Sequence, residues 1–405
     1  AVIIPAYAQD PVVIKISTWA GADESAEFQE IIDEINAANT DFQVVHEPIP
    51  GDYFTQVKTQ IAGGTGADLY WLDQGQMSIA SEGVLLPLTD CLADAEPETA
   101  GDVNDYYPGI ISTATQDGVV YGLPWIAQPV VLYYNKNMFD AAGLDYPKEG
   151  WTWDDFMTTA KALTQDTDGD GKSDQWGFIA NGWPPPQMFI WQAGGDVISS
   201  DLATSPLDSP EAQAGVDFYL QLAYNPELSP SREVIAEQGF GELFKAGKIG
   251  MFMGGAADDL DRVEDLPVGV IAVPANPDTD SNATFAWNAS TAINANTANP
   301  EEACKALLAV TEGIQNWKIV SPRISQSTVE HLVASEPRKA DSAEAIIAAV
   351  PSMRAFSIVP RYAEWESAFW NEFMTPLLNQ ETDRTPAELA ADVRPELEEF
   401  LPGAG

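Results

Sequence analysis

The chain reads as an α/β protein built in two lobes. Its 405 residues exceed what one ordinary hydrophobic core holds and suggest two bodies of roughly 150 to 200 residues each. Short β-rich runs alternate with stretches of helical periodicity, the mark of an α/β domain. Val12 to Thr18 (VVIKIST) is the first strand, ending at Trp19 and Gly21. Phe28, Ile31, Ile32 and Ile35 then recur at three- and four-residue spacing, which predicts a helix. Phe42 to His46 reads as a second strand, so strand, helix, strand predicts a right-handed βαβ unit with parallel pairing. A helix over Tyr53 to Ala62, the turn GGTGAD and a buried strand Leu69 to Leu72 follow. Further helices are expected near Trp153 to Leu163, with Thr152 as cap, and at Pro210 to Ala223, Pro300 to Thr311 and Arg361 to Leu378. Val268 to Val273 and Ser290 to Ile293 read as strands, and turns such as GWPPP (Gly182 to Pro186) punctuate the order.

Composition narrows the function classes. The hydrophobic share of 45% is that of a globular protein, and no apolar run approaches the length of a membrane span. A formal charge of -43 argues against DNA, RNA or an anionic membrane as partner, because those demand surface Lys and Arg. The first residues, AVIIPAYAQD, look like the end of a secretory signal: an apolar stretch, then Ala6, Tyr7 and Ala8 in the small-any-small pattern. This reading makes residues 1–8 a signal-peptide remnant, with the mature chain starting near Gln9 and the protein secreted, either periplasmic or associated with the cell surface. Only Cys91 and Cys304 could pair in such an oxidising compartment, and sequence leaves that pairing open.

The most specific segment is Asp117 to Phe156, DGVVYGLPWIAQPVVLYYNKNMFDAAGLDYPKEGWTWDDF, which joins a strand to a helix through YGLPW and LYYNKNMF and opens a new helix at WTWDDF. It resembles the lobe-crossing segment of bacterial extracellular solute-binding proteins of ABC sugar importers, the maltodextrin-binding-like family. TQIAGGTGADLYWLDQGQMSIASEGVLLPL, FKAGKIGMFMGG, NPEEACKALLAVT and PRYAEWESAFWNEFMTPLL are similar to further family segments, in the family's order. The resemblance implies the type II periplasmic-binding-protein fold: two lobes, each a mixed β-sheet flanked by helices, hinged around a ligand cleft. Lobe 1 is expected over 9–128 and 271–325, lobe 2 over 129–270 and 326–405, with hinges near Gln128 to Val130, Val270 and Ile324. It further implies a carbohydrate ligand, permease subunits of an ABC importer as partners, and a monomer.

Ligand-facing residues implied by the resemblance fall at strand ends, where open α/β sheets bind ligands. From lobe 1 they are Trp19, Asp23, Glu24, Asp73, Gln74, Trp287, Asn288 and Arg323; from lobe 2, Gln128, Trp183, Gly254, Gly255 and Trp365. Aromatic faces suit the C–H face of a pyranose, and Trp71, Trp125 and Trp191 belong to the same set of the chain's 12 tryptophans. Arg323 has two readings, a planar fork for the ligand or a partner for a structural carboxylate. One departure stands out: Ala256 and Ala257 follow the paired glycines where many sugar binders place Trp.

A second, independent signal is DTDGDGKSD. Asp166, Asp168, Asp170 and Asp174 occupy positions 1, 3, 5 and 9 of an EF-hand-like loop, Gly171 takes the turn at position 6, and Lys172 at position 7 is counted in the same set. Hard oxygen ligands at this spacing suit a structural Ca²⁺, although Gly177 replaces the acid of position 12. Catalytic patterns are lacking. With only His46 and His331, and no HExxH, CxxC or GxSxG, zinc hydrolysis and a serine triad have little footing, and the protein is expected not to be an enzyme. A secreted glycoside hydrolase and a binding protein for a polyamine or another non-sugar solute remain as alternatives.

Overall fold

The computed structural model describes residues 10–402, apart from 259 and 319. The signal remnant expected at 1–8 and the start at Gln9 lie outside the described residues. In chain order the main elements are β1 (Val12–Thr18), α1 (Ala22–Ala38), β2 (Phe42–Pro48), α2 (Tyr53–Ala62), β3 (Leu69–Asp73) and β4 (Gly122–Asn135). After them come α3 (Trp153–Leu163), α4 (Pro186–Gln192), α5 (Pro210–Tyr224), β5 (Met251–Gly255), β6 (Val268–Ile271), β7 (Thr284–Ile293) and α6 (Pro300–Gln315). The chain divides into two compact units: unit 1 runs to Ala127 and resumes over Asn288–Gln326, and unit 2 holds Gln128–Trp287 and the chain from Ser327 onward. The middle crossing therefore falls at 287/288 and not at 270/271. The reason is local: β6 pairs with the unit 2 half of β4, Leu132 opposite Ile271, and the Thr284 hydroxyl at the start of β7 donates to the Val130 carbonyl at 2.6 Å.

In unit 1, β1 lies between β2 and β3, parallel to both, and β3 pairs antiparallel with the second half of β7, Leu69 opposite Ile293 and Asp73 opposite Ala289. The alternation in β1 buries Ile14 and Ile16 and exposes Val13 and Lys15. Helix α1 turns Phe28 and Ile32 inward. In α6, Ala303, Ala306, Leu307, Val310 and Ile314 form one buried stripe at the helical period, and the helix runs four residues past the expected end at Thr311. The long connection after β3 has little regular structure and is tied down by side chains. Cys91 and Cys304 form a disulfide, Glu312 accepts from the Ala100 amide at 2.8 Å, and Tyr106 donates to the Ala100 carbonyl at 2.6 Å.

In unit 2, β4 pairs antiparallel with β5 and β6. Helix α3 opens on a full capping box: the Thr152 hydroxyl accepts from the Asp155 amide, and the Asp155 carboxylate accepts from the Thr152 amide. A glycine inside a helix costs about 1 kcal/mol relative to Ala, yet Gly215 in α5 is required, because a Cβ there would sit 2.4 Å from Ile190 Cα of α4. The helical stretch near the C-terminus continues from Tyr362–Ala368 through a π-helical turn, Phe369–Met374, into Thr375–Leu378. It buries Trp365, Phe369 and Phe373 in the unit 2 core, each worth about 1.5–3 kcal/mol relative to exposure. Among the described residues no helix is long and apolar enough to cross a membrane.

Since the disulfide closes a 213-residue separation, removing it with a paired Cys91→Ser, Cys304→Ser variant should destabilise unit 1 by roughly 2–4 kcal/mol. The effect is read as a lower midpoint in urea followed by tryptophan fluorescence. A midpoint unchanged by reduction or substitution would show that the packing around Ala100 alone secures the connection.

Candidate functional site

The strand ends of unit 1 carry an aromatic platform. β1 buries Ile14 and Ile16 and ends in the buried hydroxyls of Ser17 and Thr18, and Trp19 follows at its carboxyl end, half-buried. Its ring meets Trp71 at 5.3 Å, Tyr53 at 5.6 Å, Phe54 at 5.8 Å and Trp125 at 5.9 Å between centroids. Trp71 and Trp125 pack 4.6 Å apart and are buried, so they support Trp19 and offer no open face. Asp73 ends β3, where it accepts from the Gln76 amide at 2.9 Å; burial raises its pKa, against the pull of the Gln76 and Gly75 amides. Asp23 is exposed in the first turn of α1, where a carboxylate suits the helix dipole.

Four other residues expected on the ligand side of unit 1 are engaged within the protein. Glu24 pairs with Lys318 at 2.5 Å. Gln74 and Asn288 are buried and joined side chain to side chain at 2.6 Å, with the Thr113 hydroxyl donating to Asn288 at 2.8 Å. Arg323, 1% exposed, donates to the Glu312 carboxylate and to the Glu98 carbonyl, both at 2.7 Å. Its structural reading therefore holds and its ligand reading falls: a buried guanidinium needs fixed acceptors, and these are supplied.

Unit 2 brings together Gln128, Gly254 and Gly255, and adds a side chain not anticipated from sequence, Asp258. Gln128 Nε2 donates to Asp258 Oδ1 at 3.0 Å, and the Gly255 amide donates to Asp258 Oδ2 at 2.7 Å. In sequence Asp258 is one acid among many, three residues beyond the paired glycines, and no local pattern marks its contact with Gln128. Trp183 is half-buried, with its indole N–H donating to the Met253 carbonyl at 2.9 Å and its ring set edge-on to Phe285. Trp287, expected from lobe 1, packs half-buried against the unit 2 core. Trp365 is corrected: at 1% exposure, and stacked on Phe369 at 5.3 Å, it is core. Trp191 is likewise buried, under the Arg354 guanidinium.

In the acidic loop, Asp166, Asp168 and Asp170 are exposed and hold carboxylate oxygens within 4.8 Å of one another. Asp174 does not join them: both of its oxygens accept from the Thr167 hydroxyl, and that bond lowers its pKa. Lys172 is exposed and enters the loop's bonding through its amide, which donates to Asp170. Position 12 cannot carry an acid here, because a Cβ on Gly177 would lie 2.0 Å from the Ala160 carbonyl oxygen. Three converging carboxylates are the donor type a hard cation takes, although three side chains fall short of the six to eight oxygens Ca²⁺ collects.

Parallel strands ending in aromatic and polar side chains are the arrangement in which an open α/β sheet binds a solute at its strand ends. The chain belongs to the bacterial extracellular solute-binding protein family, whose model matches residues 20–311. A Brucella abortus protein named only as a binding protein is 28% identical over 303 residues, covering 69% of this chain and 67% of that one. Among solved structures, the ABC substrate-binding protein Lmo0181 of Listeria monocytogenes, in complex with cycloalternan, superposes with a TM-score of 0.79 at 22% identity, covering 96% of this chain and 99% of that one. The cyclic α-maltosyl-1,6-maltose binding protein of Arthrobacter globiformis gives 0.78 at 20%, again with 96% and 99% covered. These superpositions show the expected two-domain type II fold.

Behind the platform, His46 Nε2 meets the Thr18 hydroxyl at 2.6 Å and Phe28 lies edge-on at 5.0 Å. Burial lowers the His46 pKa, with Glu24 pulling it back up. In the pH range between the folded pKa and the unfolded value of about 6.5, the unfolded chain binds more protons, so this group's contribution to stability falls as pH drops. Urea midpoints at pH 7.5 and 5.5 should therefore differ less in favour of pH 7.5 for His46→Gln than for the wild type. Equal pH dependence in the two proteins would mean that His46 protonates freely in the folded state.

Proposed function

We propose that the protein captures a sugar, mono- or oligosaccharide, outside the cytoplasm and delivers it to the permease of an ABC importer, without chemistry of its own. The observation that carries this reading is Trp19, a half-buried indole braced by four aromatic rings at the carboxyl end of a parallel strand. A rigid aromatic face with carboxylates and amides nearby is what a pyranose needs, apolar on one side and hydroxyl-bonding at its rim. Family membership and neighbours crystallised with cycloalternan, mannobiose and maltotriose support the same class of ligand. Trp19, Asp23 and Asp73 form the ligand-facing group of unit 1, and Gln128, Trp183, Gly254, Gly255 and Trp287 that of unit 2. The protein acts as a secreted monomer, periplasmic or held at the cell surface. The trio Asp166, Asp168 and Asp170 holds a structural Ca²⁺, remote in role from the sugar.

A panel of maltotriose, mannobiose, mannotriose, tagatose and acarbose should contain at least one sugar that raises the melting temperature, because ligand binding to the folded state alone stabilises it. Trp19→Ala should weaken that sugar on the order of tenfold, as loss of a stacked aromatic implies. A shift with spermidine and with no sugar would reverse the ligand class, and hydrolysis of a panel oligosaccharide by pure protein would replace transport with catalysis. Millimolar Ca²⁺ after EDTA treatment should raise the melting temperature of the wild type but not of Asp168→Asn. The same shift in both would remove the metal from the loop.

A further inference from the structure

The Gln128 side chain is held by its neighbours in one orientation. It is the single residue of β4 that is not fully buried, and its amide meets Asp258 across 130 positions of sequence. A carboxylate accepts and never donates, so the amide can approach it only through Nε2. Asp258 is itself fixed on both sides, since the Gly255 amide donates to its Oδ2 at 2.7 Å and its own amide donates to the Gly255 carbonyl at 2.9 Å. The Tyr133 hydroxyl donates to the same carbonyl at 2.7 Å. Both glycines make room for this arrangement. A Cβ on Gly255 would stand 1.7 Å from Gln128 Nε2, and one on Gly254 3.0 Å from Asp258 Oδ2.

We propose that Asp258 is a positioning residue for specificity: it commits the Gln128 donor to its own carboxylate and leaves Gln128 Oε1 as the acceptor offered to the ligand. This rests on the reading of Gln128 as ligand-facing. The matching ligand group at this point is a hydrogen-bond donor, a sugar hydroxyl or an ammonium. An ionised phosphate ester is disfavoured, because its oxygens only accept and would face both Oε1 and a carboxylate.

The test inverts the amide. In Asp258→Asn, the new side chain uses its oxygen for the Gly255 amide and its NH₂ for Gln128, which must then turn Oε1 toward residue 258 and offer the ligand a donor. The panel sugar that most stabilises the wild type should bind this variant about tenfold more weakly, the effect of one mismatched hydrogen bond. Gln128→Glu alone opposes two carboxylates and should also bind weakly. The double variant D258N/Q128E directs an NH₂ at residue 128 and leaves an acceptor for the ligand at unchanged net charge. It should recover affinity to within about twofold of wild type, a coupling that independent effects do not produce. Wild-type affinity in D258N, or a double variant no better than the weaker single one, overturns the role of Asp258 while leaving the sugar receptor in place. A wild type that binds no sugar of the panel removes the receptor reading, and this inference with it.

Discussion

The constraint on which the structure depends is the burial of β4. Of its 14 residues, Gly122 to Asn135, every one is buried except Gln128, which is half-buried. A strand covered on both faces can hold almost nothing but apolar side chains, and its backbone groups must find partners within the sheet. β5 and β6 supply those partners in unit 2. The one interruption of the apolar run is thus the place where the strand can show a polar group, and that position is also the first residue of unit 2.

Unit 1 obeys the same rule at its strand ends. β1 buries Ile14 and Ile16 before the hydroxyls of Ser17 and Thr18 and the indole of Trp19, and β3 is buried from Leu69 to Leu72 before Asp73. Polar and aromatic side chains therefore gather at the carboxyl ends, where the sheet stops and the backbone still fixes their positions. The acidic excess of the chain is spread elsewhere. Several of its cations are tied in ion pairs, Arg323 with Glu312, Lys339 with Asp261 and Arg354 with Asp196. The strong negative field bears on solubility and on the sign of solutes near the surface, and the fold does not depend on it.

Much of the fold was legible because its signals are local. VVIKIST, the 28-31-32-35 spacing, the Thr152 cap and the helix expected over 300–311 each depend on residues within a few positions of one another, and each became an element, the last running on to Gln315. The aromatic set was only half legible. Trp19, Trp71, Trp125, Trp183 and Trp365 look alike in sequence, yet Trp71, Trp125 and Trp365 are enclosed while Trp19 and Trp183 keep part of a face open. Which indole is covered depends on rings contributed from distant segments, such as Tyr53 against Trp19 or Phe369 against Trp365. Arg323 followed the same logic: its partners at Glu98 and Glu312 are fixed only when the connection around Ala100 is folded onto α6.

By itself the sequence determined the alternation of strands and helices, the type II architecture, the family, and the candidate positions at the ends of strands. The alternation follows from period and capping, and the architecture, family and candidate positions from the resemblance of several short segments, all of which act over short stretches of chain. Tertiary structure alone decided the middle crossing at 287/288, the joining of Cys91 to Cys304, the withdrawal of Arg323 and Trp365 into the core, and the pairing of Gln128 with Asp258. Each of these joins or encloses residues far apart in sequence, so each is settled by which side chains meet when the sheets are packed, and no local pattern encodes that meeting.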